Sequence, residues 1–177
     1  MPRPPERARA QPRTVMEVDW PFFGELCRAL ALKVWHEYQP ELVVGIARAG
    51  VIPGAVVASV LRTEFASITL RRTKEGEAPS LISRPTQSPK SKRVLLVDGT
   101  CDGGDTMRLA LSVMKEEGAR TVKTAVAFRT GNYQPDYAGM QTASVIILPW
   151  DRDVIEDGEI VMRPDYEEAL RAAGKIR

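Results

Sequence analysis

The stretch RVLLVDGTCDGGDTMRLAL, residues 93–111, contains the change of pattern that decides the fold. It begins as an apolar run ending at Asp98, passes through a glycine-rich turn, and continues with apolar residues at three- and four-residue steps. The sequence therefore predicts a buried strand, a short loop and an amphipathic helix. Because ligands of parallel sheets bind at the carboxyl ends of the strands, Asp98 stands where a site is expected.

The glycine-rich turn has two possible roles. Backbone N–H groups at Gly103 and Gly104, with a helix dipole behind them, would cradle a phosphate, and Thr106 would add a hydroxyl. Asp98 and Asp102 would then hold sugar hydroxyls or a hydrated Mg²⁺ ion. Alternatively, the glycines only make the turn, and the aspartate that follows them caps the helix. The segment lacks both the glycine spacing of a dinucleotide fold and the Gly-Lys-Ser/Thr of a triphosphate loop.

The same order of elements recurs along the chain. Short runs dense in apolar residues alternate with segments of helical periodicity, which is typical of parallel strands covered by helices on both faces. The predicted strands are ELVVGIA (41–47), ASITLRR (66–72), RVLLVD (93–98), TVKTAVAF (121–128) and ASVIIL (143–148), and the predicted helices are 22–38, 51–62, 105–118 and 164–173. We expect an α/β fold with a central parallel sheet flanked by helices.

Composition and charge narrow the classes of protein. A chain of 177 residues with a formal net charge of +2 predicts no concentrated basic face for nucleic acid and is long enough for one domain. Cys27 and Cys101 have no metal or redox spacing, and no apolar run approaches a membrane span, so we expect a cytoplasmic protein. Residues 1–14 read as a disordered basic tail before a single domain at 15–177.

A segment of about twenty residues between two predicted strands, about 73–92, has three prolines and little periodicity. Loops of this length inside compact domains are usually mobile lids or disordered segments. A flexible lid and a dispensable insertion both fit the sequence at this point.

Two motifs together resemble the type I phosphoribosyltransferases. An apolar strand, Asp98, then Asp102, a glycine, a spacer and Thr106 is similar to the family's signature for phosphoribosyl pyrophosphate, and VVGIARAGVIPGAVVA (43–58) is similar to its pyrophosphate loop. The resemblance covers residues 17–152 and is strongest to small bacterial and archaeal purine phosphoribosyltransferases of the xanthine, guanine and hypoxanthine group. It implies a mobile loop and a small hood at about 129–160.

The resemblance also implies roles for individual residues. Asp98 would bind a ribose hydroxyl and the metal, Asp102 would exchange a proton with the base as the catalytic residue, and Arg48 would meet the pyrophosphate. Arg72 would reach pyrophosphate oxygens, although a solvated strand end explains it equally well. The other donor contacts would come from Ala47, Ala49, Gly99, Gly103, Gly104, Asp105 and Thr106. Members of the family often have a non-proline cis peptide in the pyrophosphate loop.

Two further residues are candidates for contact with the base. Arg129 stands where purine-specific members place a lysine that reads an exocyclic oxygen. Trp150, in ILPWD, would stack on the base as part of the hood, or else is a packed core tryptophan.

The sequence departs from the family pattern at several positions. Gly99 replaces the usual second acid, Gly103 a threonine and Ala49 a glycine, while TASVII (142–147) lacks a tryptophan of the hood. Two functions are consistent with the motifs and with these departures. One is Mg²⁺-dependent transfer of a phosphoribosyl group to a nitrogenous base, a 6-oxopurine, in purine salvage by a homodimer that needs neither nucleic acid nor membrane. The other is a non-catalytic regulator that binds phosphoribosyl pyrophosphate or a nucleotide.

Overall fold

The computed structural model describes residues 14–71 and 77–176, which divide into two compact units. The larger, here called the sheet unit, comprises residues 21–142. The smaller, here called the small unit, comprises residues up to 20 and from 143 onward. Of the predicted segments, the tail lies almost wholly outside the described residues, as does the start of the 73–92 loop.

The described residues form four helices and ten strands. Most of the predicted elements are present, with bounds within a few residues of those expected. In chain order they are β1 (Val15–Glu17), α1 (Trp20–Glu37), β2 (Leu42–Ala47), α2 (Val51–Leu61), β3 (Glu64–Arg71), β4 (Ser80–Ser83), β5 (Arg93–Cys101), α3 (Asp105–Glu116), β6 (Thr121–Arg129), β7 (Tyr137–Gln141), β8 (Val145–Ile147), β9 (Asp153–Glu156), β10 (Glu159–Met162) and α4 (Pro164–Ala172).

The sheet unit contains a six-stranded sheet in the order β4-β3-β2-β5-β6-β7. Every pairing is parallel except that of β4 with β3, which is antiparallel. This confirms the predicted α/β fold with a central, mostly parallel sheet. Residues 42–46 of β2 and 94–97 of β5 are buried, as expected for strands covered on both faces.

Helices cover both faces of this sheet. On one face, Val44 of β2 and Leu96 of β5 belong to the same core cluster as Met107 and Ala110 of α3. On the opposite face, Phe65 of β3 contacts the position where a side chain at α2's glycine, residue 54, would begin. The side chain of Leu26 on α1 likewise lies against the backbone of β7 at residue 139. Helices α1 and α2 therefore pack on one face and α3 on the other.

Several strands differ from the sequence expectation. ASVIIL was expected in the parallel sheet and is not there: its residues Val145–Ile147 form β8, which pairs with β1 in a separate two-stranded parallel sheet. Periodicity identifies a strand but does not choose its partner, so this placement could not be read from the run itself. The edge strand β7, YAGMQ, was missed because it has only one strongly apolar side chain, Met140, beside its tyrosine.

The loop expected at about 73–92 is partly structured where the structure describes it. Residues Ser80–Ser83 form β4, and Lys90 makes an isolated antiparallel bridge with Ala119. Whether this segment moves as a lid stays a prediction.

The small unit has its own core. Val15, Ile147 and Leu170 are buried together, and β9 and β10 form an antiparallel hairpin beside the helix α4 in sequence. Within this unit the carboxylate of Asp151 accepts hydrogen bonds from Arg163 Nη1 and Tyr166 Oη, both at 2.8 Å. These contacts join the turn that contains Asp151 to α4.

Candidate functional site

The carboxyl end of β5 opens onto a cavity of about 380 Å³. This is the place where the sequence predicted a site, at the end of a central parallel strand. The cavity is lined by Asp98, Thr100, Cys101, Asp102, Gly103, Gly104, Asp105, Thr106, Met107 and Thr130. Six of the predicted site residues therefore lie together, and all of them come from one continuous stretch that runs from β5 into the first turn of α3.

The loop after β5 places the start of α3 at the cavity. Gly104 is the N-cap residue with φ of +84°, and the helix has no side-chain cap. A Cβ at Gly104 would also overlap the ring of Tyr133, so both the backbone angle and the neighbouring ring require glycine. Asp105 is the first helical residue instead of the cap, and its carboxylate accepts a hydrogen bond from Arg108 at 2.8 Å. A helix start without a side-chain cap is favourable for an anionic acceptor in the cavity.

Asp98 is half-buried in the second half of β5, three residues before the strand ends. Burial raises the pKa of its carboxyl to about 7, against the opposing effect of the Gly99 N–H, which donates to Oδ1 at 2.7 Å. The carboxyl is a group whose charge is costly until a ligand or a cation enters. A perturbed acid in a cavity is typical of functional sites, although structural networks also produce such shifts.

Asp102 is exposed at the edge of the cavity, beside the loop that follows β6. Its carboxylate lies so close to Gly131 that a Cβ at that residue would overlap it. Backbone hydrogen bonds fix the same loop, from Thr130 N to Cys101 O at 2.9 Å and from Tyr133 N to Asp102 O at 3.0 Å. The position of Asp102 therefore depends on two neighbouring strands, β5 and β6.

The loop between β2 and α2 lies against the end of β5. Its Ala47–Arg48 peptide bond is cis. A Cβ at Gly50 would overlap the Val97 carbonyl oxygen and would lie 2.8 Å from the Asp98 Cα. A Cβ at Gly99 would lie 3.1 Å from the Ala49 methyl. The two segments that resemble ligand loops are thus in direct contact.

The remaining predicted residues are distributed differently. Arg48 is exposed. Arg129, at the end of β6, donates from Nε to the carbonyl of Gly131 at 3.2 Å and from Nη1 to Gln141 at 3.3 Å. Trp150 belongs to the small unit, where its ring centroid lies 5.6 Å from that of Trp20. Arg72 lies outside the described residues.

Sequence reasoning missed four residues that line the cavity: Thr100, Cys101, Met107 and Thr130. A signal for Thr100 existed, because β5 continues past Asp98 and residues two apart on a strand share a face. Thr130 follows β6, the strand next to β5, so the meeting of parallel strand ends could also have indicated it.

The comparisons with known proteins agree with this geometry. The family model of the phosphoribosyl transferase domain matches residues 18–155. The chain therefore belongs to the phosphoribosyltransferase family, and the type I resemblance read from its two motifs is confirmed.

The relatives that the chain resembles include a regulator and an enzyme, and the chain spans less than two thirds of the regulator's length. The transcriptional regulator GfcR of Halobacterium salinarum is 32% identical over 129 residues, which span 65% of this chain and 60% of the regulator. Purine phosphoribosyltransferase from Pyrococcus horikoshii is 28% identical with a TM-score of 0.72, covering 81% of this chain and 98% of that one.

A hypothetical protein from Neisseria gonorrhoeae with bound ppGpp shares the fold, with 20% identity and a TM-score of 0.64, and the match covers 93% of this chain and 98% of that one.

No helix within residues 14–71 and 77–176 is long and apolar enough to cross a membrane.

Proposed function

We propose that this protein transfers the phosphoribosyl group of phosphoribosyl pyrophosphate to a nitrogenous base, a 6-oxopurine, releasing pyrophosphate and a nucleoside monophosphate. The observation that carries the proposal is the cavity at the end of β5, which the carboxylates of Asp98 and Asp102 line together with the start of α3, a helix without a side-chain cap. A ligand that combines a phosphate with sugar hydroxyls needs these two kinds of group side by side.

Each part of the cavity has a task in that reaction. The glycine loop and the first turn of α3, with the Thr106 hydroxyl, bind the 5-phosphate through N–H and O–H donors. Asp98 accepts a hydrogen bond from the ribose. A base nitrogen forms a bond to the anomeric carbon while the bond from that carbon to the pyrophosphate oxygen breaks, and both electrons leave with the pyrophosphate. Asp102 accepts the proton that the base nitrogen loses.

The donor set of the cavity fits a magnesium ion. Mg²⁺ usually takes one or two protein carboxylates and fills its other positions with water and substrate phosphate oxygens, and Asp98 and Asp102 provide such carboxylates. Among the described residues no group of three or more acidic, histidine or cysteine side chains is arranged to hold a metal. An ion that enters with the pyrophosphate agrees with both facts, and it would neutralise charge on the leaving group.

The pyrophosphate would meet the loop between β2 and α2. Arg48 supplies the cation there, and the backbone of Ala47 and Ala49 supplies donors beside it. Arg72, Arg129 and Trp150 stay predictions as contacts for the pyrophosphate and the base, as do the lid, the hood and a homodimeric state.

The direct test is pyrophosphate release by the full chain with Mg²⁺ and phosphoribosyl pyrophosphate, measured separately with guanine, hypoxanthine, xanthine, adenine, uracil and orotate. We expect base-dependent release with at least one 6-oxopurine. The Asp102→Asn variant should lose release by about 10²-fold or more, because general acid–base groups contribute on that order.

Glu116→Gln is a matched control, since Glu116 is an exposed acid at the far end of α3. It should release pyrophosphate at the wild-type rate. A lack of base-dependent release with all six bases, or wild-type activity in Asp102→Asn, would contradict the proposal.

A regulatory function is the second candidate, and two observations favour it. The curated relative with 32% identity is a transcriptional regulator, and Gly99 replaces the second acid of the family signature. In this case the cavity binds phosphoribosyl pyrophosphate or a nucleotide without turnover. Saturable binding by calorimetry together with no release for any of the six bases would favour the regulator over the enzyme.

A further inference from the structure

One of the two oxygens of the Asp98 carboxylate already accepts a hydrogen bond from the protein's own backbone. Oδ1 accepts the N–H of Gly99 at 2.7 Å, while the side chain as a whole lines the cavity. Within the described part of the chain the Asp98 side chain has no other hydrogen bond or ion pair. Oδ2 is therefore the oxygen of this carboxylate that a ligand can use.

The neighbouring position on β5 leaves little room for a second acid. Gly99 is buried, and a Cβ there would lie 3.1 Å from the Ala49 methyl and 3.2 Å from the Ala49 carbonyl oxygen. At these distances the neighbouring atoms must give way by a few tenths of an ångström. The loop that carries Ala49 has little room, because Gly50 is packed against the backbone of β5 at Val97 and Asp98. The Ala49 methyl thus lies where a side chain at residue 99 would need space. We call this arrangement the interlock of Ala49 and Gly99.

The other groups of the cavity do not replace the missing acid. Thr100 lies on the same face of β5 as Asp98, but its hydroxyl is neutral, and hydrogen bonds to ionised acceptors are roughly twice as strong as neutral ones. Asp102 lies beyond the end of β5, with its carboxylate against Gly131.

We propose that the interlock of Ala49 and Gly99 makes this a single-anchor site, in which Asp98 Oδ2 holds one of the two vicinal hydroxyls of a 5-phosphorylated ribose and no carboxylate holds the other. The inference rests on the proposed function only in taking a phosphorylated ribose as the ligand. It applies equally to an enzyme and to a regulator.

The affinity of such a site should change little when the ligand lacks the hydroxyl that no carboxylate holds, and should fall when the ligand lacks the hydroxyl that Asp98 holds. The probes are ribose 5-phosphate, 2-deoxyribose 5-phosphate and 3-deoxyribose 5-phosphate, titrated into the full chain by calorimetry with EDTA present. We expect one deoxy sugar to bind within about threefold of ribose 5-phosphate and the other to bind at least about tenfold more weakly, the loss typical of a hydrogen bond to a charged group.

An acid introduced at residue 99 should change the relative affinities for the two deoxy sugars only when the Ala49 methyl is removed as well. In Ala49→Gly/Gly99→Asp the nearest obstructing atom is gone, and both deoxy sugars should bind about tenfold more weakly than ribose 5-phosphate. Gly99→Asp alone should bind ribose 5-phosphate more weakly than the double variant does, because the new side chain displaces the loop at Ala49. Gly24→Asp controls for the added charge, since residue 24 on α1 has room for a side chain.

The outcomes are separable from those of the proposed function. Equal losses of tenfold or more for both deoxy sugars in the wild-type chain overturn the single anchor, as does no measurable binding of ribose 5-phosphate. A Gly99→Asp variant that matches the double variant overturns the interlock. If the double variant does not fold, the wild-type titrations still decide the anchor. Absence of pyrophosphate release refutes the transferase and leaves this result untouched.

Discussion

The loops after β2 and β5 leave neighbouring parallel strands and both lead into helices, yet their packing differs. The loop after β2 is closed: Gly50, the N-cap residue of α2, touches the backbone of β5 and of Ile46 where a side chain would begin. The loop after β5 is open at Gly103, where no atom of residues 14–71 and 77–176 beyond its chain neighbours lies within 4 Å of that position, and it borders the cavity. Glycine thus serves close packing in one loop and access in the other.

This difference assigns the loops distinct physical roles. The β2 loop is positioned by contact with the protein itself, so its shape is set before any ligand arrives. The β5 loop lines a cavity and presents the start of α3 and the Asp98 carboxyl to it, so we expect a ligand to contribute part of its stability. The three predictions below test that division.

The largest effect is expected for Gly50→Ala. The backbone of Gly50 has φ of −77°, which alanine adopts freely, so the damage comes only from the added methyl against Val97 O, Asp98 Cα and Ile46 O. We expect a loss of about 3 kcal/mol or more in the free energy of unfolding, measured by denaturant titration. Unchanged stability would show that the β2 loop is free to move and would remove the distinction.

An intermediate effect is expected for Asp98→Asn in the ligand-free protein. Because the folded chain raises the pKa of Asp98 to about 7, the protonated form is favoured on folding, and that contribution to stability is lost as pH rises from about 4 to 7. The neutral amide should therefore stabilise the protein at pH 8, by about 2 kcal/mol, and have little effect at pH 4. Thermal unfolding at both pH values in EDTA checks this; a variant less stable than wild type at pH 8 would contradict it.

The smallest effect on stability is expected for Gly103→Ala. Nothing obstructs a methyl there, and replacing glycine also restricts the unfolded chain, so the free energy of unfolding should stay within about 1 kcal/mol of wild type. Gly103→Thr, tested beside it, should bind ribose 5-phosphate more tightly than Gly103→Ala, because it adds a hydroxyl to the phosphate loop. A large loss of stability in the alanine variant would mean that this loop is as closed as the other.

Much of the fold followed from local patterns. The strand at 93–98, the helix from Asp105 and the loop between them were readable because a switch from a solid apolar run to helical spacing is a property of neighbouring residues. The pairing of β8 with β1 was not readable, since a three-residue apolar strand fits several partners. The antiparallel β4 was hidden in a polar segment with prolines and has no fully buried side chain to mark it.

The residues of the candidate site likewise separate into those that the sequence revealed and those that it did not. Asp98, Asp102 and the glycine loop were found because they stand in one continuous stretch at the end of a strand, and the order of the chain alone brings them to one edge of the sheet. Their identity as phosphoribosyl-binding groups came from two motifs in the right order. Thr130, from the next strand, was missed because only the parallel pairing of β5 with β6 brings it to the cavity.

The sequence by itself determined the class of fold, the family and the position of the site, because apolar periodicity, turn residues and short motifs are written in consecutive residues. Only the tertiary structure decided that the two departures, Ala49 and Gly99, are neighbours, that one oxygen of the Asp98 carboxylate accepts the Gly99 N–H, and that the Asp102 carboxylate lies against Gly131. These are contacts between segments distant in the chain or details of local geometry. No pattern of consecutive residues specifies them, since they depend on how closely one backbone approaches another.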